Sequence, residues 1–218
     1  MQIVEGFGQL LFPIRCYGCG VIGISICSLC RTEWNPHLYS SSIGRMPVHS
    51  SILYSPIASK IVLAAKENGL RGADTLIVES ITNVLVRTQL DVAQVHLVPI
   101  PSSAQARRRR GRSFIVDIVN RVSLELCVPM SNSLELTRKV RDQSGLHAKA
   151  RAANMHGALA LKVGAFPQGN LILVDDVVTT GATLREASRA LTSQGLHVLA
   201  SVTACVAQPL RYESSNKR

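Results

Sequence analysis

The sequence predicts an α/β fold in which helices flank a mostly parallel sheet, with a small cysteine-rich head in front of it. From about residue 55 onward, helix-like and strand-like patterns alternate, as they do in βαβ units. Hydrophobic residues make up 46% of the chain and aromatic residues only 4%, which favours an aliphatic core of the kind that buries a parallel sheet. Four of the six cysteines fall in the first 35 residues, which sets that region apart.

The elements of the body follow from hydrophobic periodicity and from the residues that begin and end helices. Asn68-Gly69 separates the first two helices, and Gly195 ends the last one. In chain order we expect a strand at 48–54, helices at 56–66 and 73–88, a strand at 95–100 followed by a basic loop, a helix at 114–127, strands at 134–136 and 171–174, a helix at 183–194 and a strand at 197–206.

Composition divides the chain into a head at residues 1–45, a body at 46–210 and a polar, frayed tail at 211–218. No apolar run approaches the roughly 20 residues that span a bilayer, and the first residues lack the pattern of a signal peptide, so a cytoplasmic location without membrane insertion is expected. The formal net charge of +10 favours anionic partners, namely phosphorylated metabolites, nucleic acid or an anionic surface, although it also serves solubility.

The head carries two CxxC pairs separated by seven residues. Four thiolates at this spacing can bind one tetrahedral Zn²⁺, and a site filled by four protein ligands is structural rather than catalytic. Two disulfides are the alternative, which a cytoplasmic chain disfavours. A region this small buries little core, so the metal would supply its folding energy. The predicted zinc ligands are Cys16, Cys19, Cys27 and Cys30.

Residues 171–184, LILVDDVVTTGATL, combine a buried strand with the features of an anion site. Asp175 and Asp176 follow the predicted strand at its carboxyl end, where ligands bind in open α/β sheets. Gly181 lets the backbone approach an anion closely, and Thr183 with Glu186 predicts a capping box at the next helix start. The amides of a helix start favour phosphate, whereas carboxylates accept hydrogen bonds from ribose hydroxyls. The segment therefore predicts a site for a phosphorylated ribose.

Two other nucleotide-binding motifs are excluded. An apolar strand ending in Asp-Asp is also typical of a Walker B element, but no GxxxxGK[ST] motif occurs in the chain. A Rossmann fingerprint is excluded because no GxGxxG follows a strand.

At this point the chain resembles a known family. VDDVVTTGAT at 174–183 resembles the phosphoribosyl pyrophosphate (PRPP) loop of type I phosphoribosyltransferases. Other features resemble the ComF-type family of competence-associated, GntX-like proteins, which has a zinc-binding head, and the resemblance covers about residues 12–207. These features are the paired CxxC motifs, LAAK at 63–66 with Gly69, VPIP at 98–101 before an arginine-rich segment ending in Arg110-Gly111, and Gln143 with RAAN at 151–154.

The resemblance implies a type I phosphoribosyltransferase fold and the positions that bind PRPP or a related phosphorylated ribose. Asp175 and Asp176 would hold the ribose hydroxyls, directly or through Mg²⁺, and the following loop would hold the 5′-phosphate. Mg²⁺ bound with PRPP is expected to bridge pyrophosphate oxygens. The implied PRPP-binding residues are Asp175, Asp176, Val177, Val178, Thr179, Thr180, Gly181, Ala182 and Thr183. The implied pyrophosphate or anion contacts are Pro101, Ser102, Arg109 and Arg110.

The run of arginines at 107–110, with Arg112, is the strongest basic patch. It can be interpreted as a solvated loop, as a pyrophosphate contact, or as a contact for a nucleic-acid backbone. Five arginines exceed the need of one pyrophosphate, which leaves room for a second anionic partner. The family usually continues Arg-Gly with Phe, Asn and Gln, whereas this chain has Arg112-Ser113-Phe114 and so lacks those amides.

Two functions from different classes follow from these features. One is a transferase that moves the phosphoribosyl group to an acceptor, with inversion at the anomeric carbon and release of pyrophosphate. The other is a non-catalytic module that responds to PRPP or a nucleotide and assists DNA uptake or processing, with single-stranded DNA or DNA-processing proteins as partners, since fold alone does not establish catalysis. No catalytic residue and no acceptor pocket can be assigned from the sequence.

Overall fold

The structure, a computed structural model, describes residues 13–88, 90, 94–138 and 153–207. The main sheet is built from β1 (Tyr39–Ile43), β2 (Met46–Leu53), β3 (Val95–Pro99), β6 (Asn170–Val178) and β7 (Val198–Val206). Its strand order is β1-β2-β7-β6-β3, with β1 antiparallel to β2 and all other neighbours parallel. A second, antiparallel pair consists of β4 (Leu134–Leu136) and β5 (Leu159–Leu161). The expected mostly parallel α/β fold is confirmed.

Helices cover both faces of the main sheet. They are α1 (Ser28–Glu33), α2 (Pro56–Lys66), α3 (Arg71–Arg87), α4 (Ala104–Arg110), α5 (Phe114–Leu126) and α6 (Ala182–Thr192). On one face α3 packs against β2, β7, α2 and α5, whereas α6 packs against β6, β7 and β5 on the other. Two clusters of buried aliphatic side chains fill the layers between helices and sheet. Helices α2, α3, α5 and α6 thereby bury an apolar face, as their sequence patterns predict, whereas α4 buries none of its residues.

Most expected elements are present at similar bounds, but α1, β1 and β5 were not expected, and one expected loop is a helix. Strand β1 was not expected, because its sequence YSSSI has little hydrophobic alternation; pairing with β2 supplies its hydrogen bonds. The expected boundary between head and body at 45/46 therefore lies in the β1–β2 turn. The expected basic loop after β3 is instead the helix α4, in which Ser103 caps the first turn by accepting from the Ala106 amide at 3.1 Å.

The head packs against α2 and α3 rather than standing free. Trp34, 1% exposed, belongs to the same buried cluster as α2 and α3, and Tyr17 packs against that cluster. Gly18 lies so close to the head's own Cys30 and to Ile57 of α2 that a Cβ there would be 2.6 Å from the Cys30 Sγ. The cysteine cluster and the body of the protein are therefore in direct contact.

In the described residues, no helix combines the length and apolar character that a membrane span requires. The expected tail at 211–218, together with Gln143 and Arg151, lies outside the described residues.

Candidate functional site

Two adjacent carboxylates lie at the carboxyl end of β6, between the parallel neighbours β7 and β3. Asp175 is in register with Thr203 of β7, and Asp176 is 5% exposed. The Asp176 amide donates to Asp175 Oδ1 at 2.9 Å. Because β6 continues to Val178, both residues lie within the strand, and the expectation that they follow it was wrong. The longer strand holds the two backbones rigidly at the sheet edge where ligands bind in such folds.

Lys66, the last residue of α2, is the counterion of this pair. Its Nζ lies 2.6 Å from Asp176 Oδ2, and the two side chains are 28% and 7% exposed. Sequence reasoning assigned Lys66 no role, since a lysine that ends a helix is ordinarily a solvated cation that favours the helix dipole. Only the fold brings residues 66 and 176 together.

Burial and mutual repulsion give the two carboxyl groups different pKa values. Burial, reinforced by the charge on Asp176, raises the pKa of Asp175 well above its ordinary value. Burial also opposes the charge on Asp176, but the Lys66 ammonium outweighs it and lowers the pKa of Asp176. Lys66 shows the reciprocal effect: burial opposes its charge, yet Asp176 and Asp175 raise its pKa. The arrangement keeps one carboxylate firmly ionised and ready to accept hydrogen bonds.

The loop from Thr179 to Thr183 leads from β6 into α6. Gly181 is the N-cap of α6, with φ of 71°, a left-handed conformation that favours glycine. A Cβ at this position would lie 2.3 Å from Cδ1 of Ile43 in the β1 strand. Gly181 is thus required both by its backbone conformation and by a side chain packed directly against it.

The expected capping box at α6 is wrong. Glu186 is 4% exposed; it pairs with Arg189 at 2.7 Å and accepts from the Leu159 amide at 3.2 Å, which ties α6 to β5. The α6 N-cap has no side-chain hydrogen bond, because glycine provides no acceptor. One amide of this helix start, that of Ala182, donates to Thr180 Oγ1 at 3.4 Å. The amides of a helix start carry a partial positive charge, which suits an anionic ligand.

The arginine segment lies beside this site, and Glu67 binds two of its members. Arg110 is bound by Glu67 of the α2 terminus, with Nη2 2.6 Å from Oε1, and Arg109 Nη2 lies 2.8 Å from Glu67 Oε2. Hydrogen bonding from Arg110 lowers the pKa of Glu67. The assignment of Arg109 and Arg110 as pyrophosphate contacts stays a prediction, and any such contact competes with Glu67.

A cleft of about 1090 Å³ lies on the β3–α4 side of the molecule. It includes Pro101 and Ser102, which form the turn expected to contact pyrophosphate. Among the described residues, its lining carries four cationic side chains and one carboxylate, namely Arg107, Arg108, Arg138, Lys162 and Glu135. Backbone carbonyls hold three of these cations: Arg107 donates to Ser102, Arg138 to Asn154 and His156, and Lys162 to Asn132. These bonds fix the cations without neutralising them.

The four cysteines of the head converge on one point. Their Sγ atoms all lie within 4.8 Å of one another, and Cys19 and Cys27 are 3.7 Å apart. Tetrahedral Zn²⁺ with Zn–S bonds of about 2.3 Å places sulfurs about 3.8 Å apart, so the cluster fits this ion. The Cys27 amide lies 3.4 Å from Cys16 Sγ, as expected for a thiolate stabilised by backbone donors. All six cysteines are free thiols, which disagrees with the disulfide alternative.

Fold and site together define a mostly parallel α/β protein with paired carboxylates and a glycine-containing loop at the carboxyl edge of its sheet. Residues 76–217 match the family model of the phosphoribosyl transferase domain, and the chain therefore belongs to this family. The resemblance to ComF-type proteins is supported by competence protein F of Haemophilus influenzae, 34% identical over 103 residues. That match covers 46% of this chain and 45% of the relative, so less than half of the relative's length is matched.

Solved structures with related architecture include two phosphoribosyltransferases. The adenine phosphoribosyltransferase of Trypanosoma brucei, in complex with AMP, pyrophosphate and ribose-5-phosphate, is 11% identical, with a TM-score of 0.46 and coverage of 84% of this chain and 96% of that chain. The orotate phosphoribosyltransferase of Aeropyrum pernix is 14% identical, with a TM-score of 0.40 and coverage of 79% and 74%. The family membership rests on the match over residues 76–217.

Proposed function

We propose that the protein binds PRPP and transfers its phosphoribosyl group to an acceptor, with inversion at the anomeric carbon and release of pyrophosphate. The observation that carries this proposal is the carboxylate pair Asp175–Asp176, placed three residues before a glycine-containing loop that leads into the start of α6. A ligand with vicinal hydroxyls and a phosphate satisfies both parts at once, because carboxylates accept and helix-start amides donate.

In this proposal Asp175 and Asp176 accept hydrogen bonds from the ribose hydroxyls, while residues 179–183 bind the 5′-phosphate. The turn at Pro101 and Ser102 follows β3, the strand next to β6, so it lies on one side of the carboxylates. Pyrophosphate would leave on this side. Mg²⁺, when bound with pyrophosphate, would neutralise part of its charge. The protein would act by positioning and by charge stabilisation.

The head enters the proposal as a structural zinc site. Its ligands are all supplied by the chain, which leaves no open coordination position for a substrate. The contacts of Gly18 and Trp34 with α2 and the core would let the metal stabilise α2, whose last residue is Lys66. Zinc would thereby support the ribose site from a distance.

The central experiment measures release of labelled pyrophosphate from PRPP, with nucleobases and amines screened as acceptors. We expect release that depends on one acceptor class and falls at least a hundredfold in Asp175→Asn/Asp176→Asn, since the charge on Asp176 and the carboxyl group of Asp175 are both removed. Glu125→Gln, an exposed carboxylate on α5, is the matched control and should keep full activity. Unchanged PRPP affinity in the double variant contradicts the assignment of the carboxylates. Release without acceptor dependence contradicts the transferase function.

A second candidate is a binding module for single-stranded DNA. The observation that favours it is the cleft beside α4, whose described lining carries four cations and one carboxylate, with three of the cations held by neutral carbonyls. Such a surface attracts a phosphodiester backbone. The name of the relative, competence protein F, agrees with a partner of this kind. In that case the ribose site would act as a ligand sensor rather than as a catalyst.

A further inference from the structure

We propose that Lys66 is a positioning residue of the ribose site, and that its ammonium group does for the Asp175–Asp176 pair what a divalent cation would otherwise do. The inference rests on the proposed function, in which these carboxylates receive ribose hydroxyls. It predicts that the ribose and 5′-phosphate part of the ligand binds without metal, and that any need for Mg²⁺ arises from the pyrophosphate.

Two neighbouring carboxylates in a buried strand repel each other, and burial makes the repulsion costly. Lys66 supplies the compensating charge at 2.6 Å from Asp176 Oδ2. The contact uses one oxygen of Asp176, and Asp175 Oδ1 accepts the Asp176 amide at 2.9 Å. Asp175 is largely buried but keeps part of its surface exposed, so a ligand can reach it. The lysine therefore fixes the pair without occupying all of its acceptor positions.

The position of Lys66 is set by the helix that carries it. Helix α2 begins at the Ser55 cap with Pro56 in its first turn, and it buries Ile61, Val62 and Ala65 against the core. Lys66 closes the last turn, where the helix dipole favours a cation. A lysine anchored in this way loses little freedom when it pairs with Asp176, unlike a lysine on a mobile loop.

Glu67, the residue after Lys66, pairs with the two arginines nearby and so does not compete with Asp176 for the Lys66 ammonium. Glu67 is a carboxylate within reach of the same region, but it is held by Arg110 and Arg109 at 2.6 and 2.8 Å. The charged groups that act on the Lys66 ammonium are Asp176, Asp175 and Arg110. Since Arg110 is neutralised by Glu67, Lys66 remains assigned to the carboxylate pair. A divalent cation entering the pair would have to displace this ammonium group.

The experiment measures binding of ribose 5-phosphate and of inorganic phosphate by calorimetry, in EDTA and in Mg²⁺. Ribose 5-phosphate keeps the hydroxyls and the 5′-phosphate but has no pyrophosphate. We expect the wild-type protein to bind it equally well in EDTA and in Mg²⁺. In EDTA, Lys66→Met should weaken the binding of ribose 5-phosphate by about tenfold or more, the loss typical of a charge-assisted hydrogen bond. Its affinity for inorganic phosphate should change by less than about twofold. Mg²⁺ should restore part of the lost affinity.

Two further variants separate a positioning role from a general structural one. Lys66→Arg retains the cation and should keep most of the affinity for ribose 5-phosphate. Lys60→Met removes an exposed lysine from the same helix and should change the affinity for neither ribose 5-phosphate nor phosphate. Unchanged phosphate binding also shows that Lys66→Met is folded. If Lys66→Met does not fold, Lys66→Arg and the metal dependence of the wild-type protein still test the proposed role of Lys66.

The outcomes distinguish this inference from the proposed function. Wild-type protein that binds ribose 5-phosphate only with Mg²⁺, or Lys66→Met that binds it normally in EDTA, overturns the assignment of Lys66 and leaves the ribose site intact. A different outcome is that the wild-type protein binds ribose 5-phosphate no more tightly than inorganic phosphate, both with and without Mg²⁺. That result overturns the assignment of the carboxylates and with it the proposed function.

Discussion

Glu67 and Arg110 form a bidentate ion pair that joins the carboxyl end of α2 to the last residue of α4. Arg110 Nη2 lies 2.6 Å from Oε1, and its Nε lies 3.1 Å from both carboxylate oxygens. Arg110 is 8% exposed and Glu67 28%, so water screens the pair only in part. Because Lys66 precedes Glu67 in the chain, one helix end contacts both the carboxylate site and the arginine helix.

The first prediction concerns this pair. Glu67→Gln should lower the free energy of unfolding at pH 7 by about 1–3 kcal/mol, the range for hydrogen bonds to charged groups. The pKa of Glu67 is lowered in the folded protein, so its stabilisation is present above the ordinary value of 4.5 and is lost as pH falls through the lowered value. Urea unfolding at pH 7 and pH 3 should therefore show a difference from wild type that shrinks in acid.

The matched control is Glu79→Gln. Its partner Arg31 is 50% exposed and Glu79 itself 45%, so this surface pair should contribute less than about 1 kcal/mol. Equal losses in the two variants, or a Glu67→Gln deficit that persists at pH 3, would contradict the stabilising role of the Glu67–Arg110 pair.

The second prediction concerns Asp74 and Arg112, which form a two-bond pair between α3 and the turn before α5. Arg112 Nη1 and Nη2 lie 2.7 and 2.8 Å from the two oxygens of Asp74, which is 1% exposed. Arg112→Met leaves a buried carboxylate without its partner and should cost about 3–5 kcal/mol. Asp74→Leu combined with Arg112→Met should cost less than Arg112→Met alone, because no unpaired charge remains. Thermal unfolding of the two variants and of the wild type checks this order.

Most of the fold could be predicted from the sequence because its signals are local. Helix α2 was predicted at its observed bounds from Pro56 and the apolar spacing, and the strand at 134–136 was predicted at its bounds too. Parallel strands such as β6 are recognisable as continuous aliphatic runs. The four cysteines brought together in the head were also evident, since CxxC spacing is itself a geometric constraint.

The side-chain partners could not be predicted, because they depend on contacts between distant residues. Lys66 and Asp176 are separated by 110 positions, and Arg110 and Glu67 by 43. The helical pattern around Glu186 matched a capping box, but β5 and Arg189 bind that carboxylate more directly. The run of arginines gave no apolar periodicity, so its helix was interpreted as a loop. A helix anchored by a Ser103 cap and by ion pairs leaves little hydrophobic signal.

The third prediction concerns residues 179–183, the loop proposed to bind the 5′-phosphate. Gly181→Ala places a Cβ against Ile43 at a position whose φ of 71° is already unfavourable for alanine. The variant should lose stability by about 1–3 kcal/mol and bind inorganic phosphate more weakly. Ile43→Ala in the same chain removes the clash but not the backbone strain, so it should restore phosphate binding only in part. Full restoration would mean that the conformation of Gly181 is not required.

The fourth prediction concerns the cysteine head. Cys16→Ser should abolish zinc content, which is expected to be one ion per wild-type chain, since a structural site needs all four thiolates. It should also lower the melting temperature, because Gly18 and Trp34 join the head to α2 and the core. Cys127→Ser, at an exposed cysteine outside the cluster, should change neither value. Metal analysis with thermal unfolding measures both, and purified wild-type protein without zinc would remove the metal from the proposal.

The last prediction separates the two candidate functions through salt dependence. Arg107 and Arg108 line the cleft, whereas Arg109 and Arg110 are bound to Glu67. If single-stranded DNA binds in the cleft, Arg107→Ala/Arg108→Ala should reduce the slope of log affinity against log salt by roughly 1.4, from about 0.7 per lost phosphate contact. Arg109→Ala/Arg110→Ala should change it less, because these arginines must first leave Glu67. Lys60→Ala/Arg87→Ala removes two exposed cations on α2 and α3 and serves as the charge-matched control. Equal slopes in all three variants would mean that DNA is attracted by the net charge of the protein alone. The cleft would then not be a DNA-binding site.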